Sequence, residues 1–375
     1  MPAASTDGQT NSPRFDAAAG AALLHWYETE RRDLPWRRTS DPYRILVSEI
    51  MLQQTRVETV MRRYERFLER FPDLPALAAA TPEEVLAEWS GLGYYRRARN
   101  LHAAARAIVI EHEGVFPRQY EPLRALPGIG DYTAAAIAAI AFGEPHVGID
   151  GNVNRVLCRY FGIAEDPRRA VVRHQLLAAA ESLLDDHAPG DVTQALIELG
   201  AQICIPRSPR CTDCPLLRRC VAAAECIQEQ LPIRRKQEIT TVNEAAGVME
   251  RNGRFLLLRG QRPGVLADMW EFPTPDSRLR VSAIAAGNVD PAAELRGYLA
   301  DLDQGSVALH RLGEIRHGIT NRRIACTVYR ADTEAAGGGA APANAKFGWF
   351  TRAEAAQLPL AASAKCIFDL IGVDE

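Results

Sequence analysis

The sequence predicts an all-α region followed by a smaller α+β domain. From residue 15 to about 227, apolar residues recur at helical spacing between Pro and Gly interruptions, without convincing strand runs. Beyond a short linker the pattern changes. Residues 255–258 and 324–329 have the composition of strands, whereas residues 291–302 and 352–358 have helical spacing. Runs of helices before a mixed segment indicate two separately packed domains.

Within the all-α region, the longest helical pattern runs from Tyr43 to Phe71. Its apolar positions repeat about every 3.6 residues, as in an amphipathic helix. Further helices are predicted at 132–142, which is rich in alanine, at 153–161 and at 193–203.

The predicted boundaries follow these patterns. Residues 1–14 are expected to form a disordered tail, 15–230 the helical region, 231–241 a linker, and 242–375 the second domain. Residues 337–345 are rich in Gly and Ala and predict a flexible loop.

The composition excludes several classes of protein. A chain of 375 residues is long enough for two cores, and none of its apolar runs has the length of a membrane span. Eight cysteines in a chain without a recognisable signal peptide predict a reducing cytoplasm and not disulfides. The net charge of −3 gives no overall nucleic-acid signature, so any basic surface for DNA has to be local.

The basic residues are distributed unevenly. The three lysines, Lys236, Lys346 and Lys365, all follow residue 235, so arginine supplies the permanent positive charge of the helical region. Arginine forms bidentate contacts with phosphate but cannot act as a Schiff-base amine.

Cys204, Cys211, Cys214 and Cys220 have the spacing C-x6-C-x2-C-x5-C, which indicates a metal site. Four thiolates bind either a tetrahedral zinc ion or an iron–sulfur cluster, and the long outer gaps favour the cluster. The alternative is a set of unrelated buried thiols. Prolines between the cysteines predict a loop and not a helix.

Residues 126–133, Leu-Pro-Gly-Ile-Gly-Asp-Tyr-Thr, predict a helix-hairpin-helix whose turn requires both Gly128 and Gly130. The free N–H groups of the second helix can bind a DNA phosphate, although an ordinary helix connection fits the same string. Upstream, residues 91–99 combine arginines and tyrosines, which predicts a basic patch or a solvated helix start.

Two carboxyl groups with different expected surroundings, Glu49 and Asp150, are the parts needed to cleave an N-glycosidic bond. Glu49 lies on the apolar face of its helix, where burial would raise its pKa and keep it protonated as an acid. Asp150 precedes a helix and could stay ionised beside a developing cation. A core glutamate paired with an arginine, and a simple helix cap, are the structural alternatives.

Taken in order, Ser48–Thr55, Gly91–Arg99, the hairpin, Asp150–Val153 and the cysteine quartet resemble adenine-DNA glycosylases of the MutY type. The resemblance covers roughly residues 20–230 and continues more weakly to the C-terminus. It implies a helix-hairpin-helix six-helix barrel with a helical domain that holds a [4Fe–4S] cluster on the four cysteines, followed by a Nudix-like domain. The implied partner of the protein, expected to be a monomer, is double-stranded DNA containing an adenine mismatch.

The resemblance also implies catalytic roles. Glu49 would protonate adenine, Asp150 would stabilise the cationic sugar, and Asn152 and Tyr132 would support that intermediate and the attacking water. Residues implied to contact the substrate comprise a pocket group and two residues that enter the duplex. The pocket group is Arg32, Trp36, Leu52 and Gln194, and the entering residues are Gln54 and Tyr94.

Related pyrimidine glycosylases carry a nucleophilic lysine directly after the hairpin, where this chain has Tyr132. The helical region contains no lysine, which predicts a monofunctional glycosylase that leaves an abasic site. Two alternatives remain: a bifunctional glycosylase-lyase similar to endonuclease III, and a non-catalytic DNA-binding protein stabilised by a metal.

The second domain resembles a Nudix-like module that recognises 8-oxoguanine, through residues 251–259, 269–273 and 348–350. A Nudix box of paired glutamates is missing after Trp270, which argues against pyrophosphate hydrolysis. Where the family commonly has Phe-Ser-His, this chain has Ile-Thr-Asn, so Thr320 and Asn321 are the expected contacts with 8-oxoguanine.

Overall fold

A computed structural model of the chain describes residues 13–89, 91–233, 239–259, 269–275, 290–303, 306–319, 322–333 and 346–372. The chain divides into two compact units, Met1–Arg235 and Lys236–Glu375. The predicted order, an all-α region before a smaller α+β domain, is confirmed.

The described residues of the first unit form helices and connecting loops, with no strand among them. Its helices are α1 Ala17–Glu30, α2 Pro42–Leu52, α3 Val57–Arg70, α4 Leu74–Ala79, α5 Pro82–Glu88, α6 Arg96–Glu111, α7 Tyr120–Ala125, α8 Asp131–Phe142, α9 Gly151–Phe161, α10 Ala170–Glu181, α11 Pro189–Gln202 and α12 Val221–Ala224. Side-chain caps determine where several of these helices begin. Asp16, Asp73 and Thr81 each accept a hydrogen bond from a backbone N–H in the first turn of α1, α4 and α5.

Two apolar clusters fill the first unit. One combines side chains of α2 to α8 around the fully buried Trp89 and Phe67, and the other combines α1 with α9, α10 and α11. Helix α11 packs against both α8 and α9, so it joins the two clusters. Burying each large side chain contributes roughly 1.5–3 kcal/mol, which stabilises this junction.

The continuous helix predicted from Tyr43 to Phe71 is interrupted. Helix α2 ends at Leu52, Gln54 has a φ of +56°, and α3 begins only at Val57. The guanidinium of Arg97 donates to the carbonyls of Ile50 and Met51. Because a distant side chain binds these carbonyls, the periodic pattern carries no signal of the break.

The second unit contains two sheets and three helices in its described residues. Its elements are β1 Thr240–Val248, β2 Glu250–Arg251, β3 Arg254–Arg259, β4 Trp270–Glu271, α13 Pro291–Asp303, β5 Val307–Ile319, β6 Arg322–Thr333, β7 Lys346–Phe350, α14 Arg352–Ala355 and α15 Ala362–Ile371. In one sheet β6 lies between β1, which runs parallel to it, and β5, which is antiparallel. In the other, β3 pairs antiparallel with β2, β4 and β7.

Several predicted features fall on residues outside these ranges. They are the tail up to residue 12, the linker residues 234–238, the loop 337–345, and both Thr320 and Asn321. A search of the described residues for a helix long and apolar enough to cross a membrane finds none.

Candidate active site

A cavity of about 470 Å³ opens where the two clusters of the first unit meet. All the predicted catalytic and pocket residues line it, together with one of the two residues predicted to enter the duplex. They are Arg32, Trp36, Glu49, Leu52, Gln54, Tyr132, Asp150, Asn152 and Gln194. These side chains come from segments widely separated in sequence, and the packing of α2, α8 and α11 brings them together.

Glu49 lies on α2 with only 8% of its surface exposed. Burial raises the pKa of its carboxyl group to about 7, although a hydrogen bond with the Tyr132 side chain opposes the rise. The nearby charge of Asp150 raises this pKa further. A carboxyl group with a pKa near neutrality can donate a proton at physiological pH.

Tyr132 is the second residue of α8, at the start of the helix that follows the hairpin. Burial and the neighbouring Glu49 and Asp150 hold the pKa of its hydroxyl group well above the usual value. The hydroxyl therefore stays protonated and can donate its hydrogen to the Glu49 carboxyl.

Asp150 caps helix α9. One carboxyl oxygen accepts hydrogen bonds from the backbone N–H groups of Asn152 at 2.8 Å and Val153 at 2.7 Å. The other accepts one from Nδ2 of Asn152 at 2.8 Å. Burial raises the pKa of Asp150, whereas these hydrogen bonds lower it because they stabilise the carboxylate. The two carboxyl groups thus have different surroundings.

Arg155 fixes the orientation of the Asn152 amide. Its Nη2 donates to Oδ1 of Asn152 at 2.8 Å and to the Gly200 carbonyl at 2.8 Å, and its Nε donates to the Cys204 carbonyl at 2.7 Å. Because Oδ1 accepts from Arg155, Nδ2 of Asn152 must face Asp150.

The sequence patterns gave no prediction for Arg37, which lines the cavity, or for Glu198, which binds Arg37 and Arg32 without lining it. The side chain of Glu198 is fully buried, and it accepts hydrogen bonds from Arg32 Nε at 2.8 Å, Arg32 Nη2 at 2.7 Å and Arg37 Nη2 at 2.7 Å. These ion pairs lower the pKa of Glu198 to about 2 despite its burial. The sequence signal available for Glu198 was its position on α11, one helical turn after the predicted pocket residue Gln194 and therefore on the same face of the helix.

At the rim, Gln54 lines the cavity and Tyr94 does not. The Tyr94 side chain is 60% exposed, and its backbone has a φ of +47°. The prediction that residues 91–99 form a basic patch is wrong for Arg97, which is 8% exposed and binds backbone carbonyls.

The hairpin between α7 and α8 has one turn glycine and not two. Gly128 has a φ of +74°, and a Cβ there would lie 2.3 Å from Cβ of Asn100 on α6. Gly130 caps α8 with a φ of −97°, and a Cβ there would meet nothing within 4 Å. The expectation that the turn requires glycine at position 130 is therefore wrong, since ordinary residues adopt that backbone.

The four cysteines line one small cavity beside Arg159, which donates to Sγ of Cys204 at 3.4 Å. Burial and the other three thiols raise the pKa of Cys214 to about 12. Among the described residues, no group of three or more His, Cys, Asp or Glu has the arrangement of a metal site. Four thiols that line one cavity are a donor set that suits an iron–sulfur cluster.

Comparison with known proteins identifies two family matches. Residues 47–181 match the family described as HhH-GPD superfamily base excision DNA repair protein, and residues 245–370 match the NUDIX domain. An adenine DNA glycosylase of Mus musculus is 35% identical over 406 residues, covering 92% of this chain and 76% of its own length.

An adenine DNA glycosylase of Homo sapiens is 36% identical over 369 residues, covering 82% of this chain. The match spans 66% of the human protein's length. Among solved structures, a thermostable thymine-DNA glycosylase is 31% identical with a TM-score of 0.50, and the match covers 55% of this chain and 95% of that one.

Proposed function

This chain belongs to the adenine DNA glycosylase family, and we propose that it hydrolyses the N-glycosyl bond of adenine in double-stranded DNA, as a monomer. The observation that carries the proposal is the buried Glu49 carboxyl group, with a pKa of about 7, facing Asp150 in one cavity. An acid near neutrality beside a second, differently hydrogen-bonded carboxyl group is suited to glycosidic cleavage.

In the proposed reaction the Glu49 carboxyl group transfers its proton to a ring nitrogen of adenine. The bond from the sugar C1′ to the base then breaks, and its electron pair leaves with the adenine. The Asp150 carboxylate stabilises the positive charge that develops on the sugar. A water oxygen finally bonds to C1′ and gives a proton to the Glu49 carboxylate, which restores the acid and leaves an abasic site.

Asn152 and Tyr132 each act on one of the two carboxyl groups. Asn152 donates to Asp150 through its amide, and the Tyr132 hydroxyl group lowers the pKa of Glu49. Arg32, Trp36, Leu52 and Gln194 form the walls that would receive the base. Because the cavity is recessed, adenine must leave the helical stack to reach Glu49.

We propose a monofunctional enzyme that does not nick the DNA strand. A lyase step requires an amine nucleophile for a Schiff base, and the first lysine of the chain is Lys236. Every residue of the catalytic cavity precedes it, and Tyr132 occupies the position where a nucleophilic lysine would follow the hairpin.

The second unit is proposed to recognise 8-oxoguanine opposite the adenine through Thr320 and Asn321. The support is the NUDIX match over residues 245–370, which includes this string. Replacing Asn321 by His should increase the preference for 8-oxoguanine over guanine as the opposite base. An unchanged preference would exclude this string as the recognition site.

We further propose that Cys204, Cys211, Cys214 and Cys220 hold a [4Fe–4S] cluster. When bound, the cluster would cross-link residues 204–220 and add no group to the catalytic cavity. A cluster predicts a brown protein that contains iron and acid-labile sulfide. The Cys214→Ser variant should lose the colour, whereas Cys226→Ser should keep it, because Cys226 is exposed and outside the cysteine cavity. A colourless protein that contains zinc would contradict the proposal.

The decisive experiment incubates the full chain with labelled duplexes that carry one test base each. The test pairs are adenine opposite 8-oxoguanine, adenine opposite guanine, adenine opposite thymine, thymine opposite guanine, and an oxidised pyrimidine opposite guanine. Excision only from the first two, with strand cleavage only after added alkali, is expected. Spontaneous nicking, or a preference for thymine or the oxidised pyrimidine, would refute the proposed function.

A further inference from the structure

The guanidinium group of Arg97, on α6, donates hydrogen bonds to two loops. Its Nη1 donates to the carbonyls of Ile50 at 3.0 Å, Met51 at 2.8 Å and Gln53. Its Nη2 donates to Oγ1 of Thr55 at 2.9 Å and to the carbonyls of Leu92 at 3.0 Å and Gly93 at 3.1 Å. One guanidinium therefore holds residues 53–55, after α2, and residues 92–93, before α6.

Each of these loops presents an exposed side chain at a backbone angle that L-residues rarely adopt. Gln54 has a φ of +56° and lies at the wall of the catalytic cavity. Tyr94 has a φ of +47°, and its ring centre is 5.7 Å from the Arg97 guanidinium carbon. A left-handed backbone at a residue other than glycine is unfavourable unless the surroundings impose it.

The bonding of Arg97 is unusual for a buried cation. Its hydrogen bonds in the described residues go to carbonyl and hydroxyl oxygens of these loops and of the end of α2, and none goes to a carboxylate. The guanidinium also lies 5.5 Å from the ring centre of Trp89, whose Nε1 donates to the Gly93 carbonyl. Burying a charge is unfavourable unless polar partners compensate for it, and here the compensating oxygens belong to the two loops and to the end of α2.

We propose that Arg97 is a positioning residue for base extrusion, which holds Gln54 and Tyr94 side by side at the rim of the cavity. The inference rests on the proposed function, because only an enzyme that removes a base from the helical stack needs side chains to fill the vacated space. Gln54 is exposed and lines the cavity, and Tyr94 carries an aromatic ring that is largely exposed. Arg97 preorganises both before DNA binds, and it touches neither the base nor Glu49.

Hydrogen–deuterium exchange of the protein without DNA tests the positioning role directly. Arg97→Met should raise amide exchange in residues 53–56 and 91–95 about tenfold or more, with the rest of the first unit unchanged. Arg106→Met is the matched control, since it removes an exposed arginine from the same helix. Equal exchange in the Arg97 variant and the wild type would overturn the proposal, whether or not the protein excises adenine.

Base extrusion is then measured with 2-aminopurine, whose fluorescence rises on unstacking, in place of the target adenine. Arg97→Met should lower the fluorescence gain, and it should slow single-turnover excision from a paired duplex about tenfold or more. Excision from an adenine already unstacked in a three-base bubble should change less than about threefold, since that substrate needs no wedge. An equal loss on both substrates would assign Arg97 to the cavity and overturn the proposal.

A variant cycle covers the case in which Arg97→Met fails to fold. Arg97→Lys keeps the charge but not the planar fork, so we expect intermediate exchange and intermediate extrusion. In a Gln54→Ala, Tyr94→Ala background, Arg97→Lys should have little further effect on extrusion, because its effect passes through those two side chains. Full additivity would overturn the proposal. A wild-type protein that unstacks 2-aminopurine but excises no adenine would refute the proposed function alone.

Discussion

The side chains of Tyr132 and Glu49 line the same catalytic cavity, where the Tyr132 hydroxyl group lowers the pKa of the Glu49 carboxyl group. Burial raises the Glu49 pKa and the Tyr132 hydroxyl group lowers it, so the value of about 7 is a balance between the two. Because this pKa is close to neutrality, a small change of pH or the loss of the Tyr132 hydroxyl group alters the protonation of Glu49.

Replacing Glu49 by Gln should greatly slow excision and leave DNA binding intact. The amide cannot donate an acidic proton, so the rate should fall by about 10² to 10⁴-fold. Single-turnover excision and a gel-shift titration on the same duplex measure the two properties. Glu111→Gln, an exposed change on α6, is the control. A Glu49→Gln variant with the wild-type rate would remove Glu49 from the mechanism.

The same variant should change how stability depends on pH. The folded pKa of Glu49, about 7, lies above its ordinary value of 4.5, so its contribution to stability is full at low pH and is lost as pH rises through 7. Between pH 5 and 8 the wild type should therefore lose about 2–3 kcal/mol of unfolding free energy relative to Glu49→Gln. If the difference in unfolding free energy between the wild type and Glu49→Gln is the same at pH 5 and pH 8, the carboxyl group is not buried in its acid form.

Removing the Tyr132 hydroxyl should shift the pH profile of excision upwards. The hydrogen bond favours the ionised carboxylate, so Tyr132→Phe should raise the Glu49 pKa and move the alkaline limb to higher pH. The rate of excision against pH measures the limb. Tyr43→Phe is the matched control, since its buried hydroxyl donates to the Phe71 carbonyl away from the cavity. A limb that moves to lower pH would contradict the assignment of Glu49 as the titrating acid.

Replacing Glu198 by Gln should destabilise the first unit by about 3–5 kcal/mol, because Arg32 and Arg37 would keep their charge beside a neutral partner. The pKa of Glu198 is lowered from its ordinary value of 4.5 to about 2. Its contribution to stability is therefore fully present above pH 4.5 and is lost as the pH falls towards 2. Denaturation at pH 5 and pH 8 should thus show the same loss. Asp33→Asn breaks the exposed pair with Arg38 and should leave the denaturation curve unchanged.

Replacing Gly128 by Ala should weaken DNA binding as well as stability. The left-handed backbone alone costs about 1 kcal/mol, and the new Cβ would also collide with Asn100. Gly143→Ala isolates the backbone cost, because Gly143 has a φ of +68° with nothing within 4 Å of a Cβ. Gly128→Ala should therefore lower both the free energy of unfolding and the affinity for DNA more than Gly143→Ala does. Equal effects would show that the contact with Asn100 is not needed to shape the hairpin.

Much of the site could be predicted from local sequence. Helical spacing placed Glu49 on an apolar face, the Pro-Gly-Ile-Gly string placed a hairpin before Tyr132, and Asp150 stands where a helix cap is expected. These features depend on short-range periodicity and backbone chemistry, which a sequence records directly. The break between α2 and α3 could not be predicted in this way, since a side chain on α6 binds the carbonyls at that helix end.

By itself, then, the sequence determined the order of the two domains, the cysteine spacing, and the absence of lysine before residue 236. Only the tertiary structure decided which charges are buried. Arg97 and Glu198 look like surface residues in the sequence, yet one holds two loops and the other holds Arg32 and Arg37. The physical reason is that desolvation, and with it the pKa of Glu49, is set by helices that are distant in sequence and packed together in space.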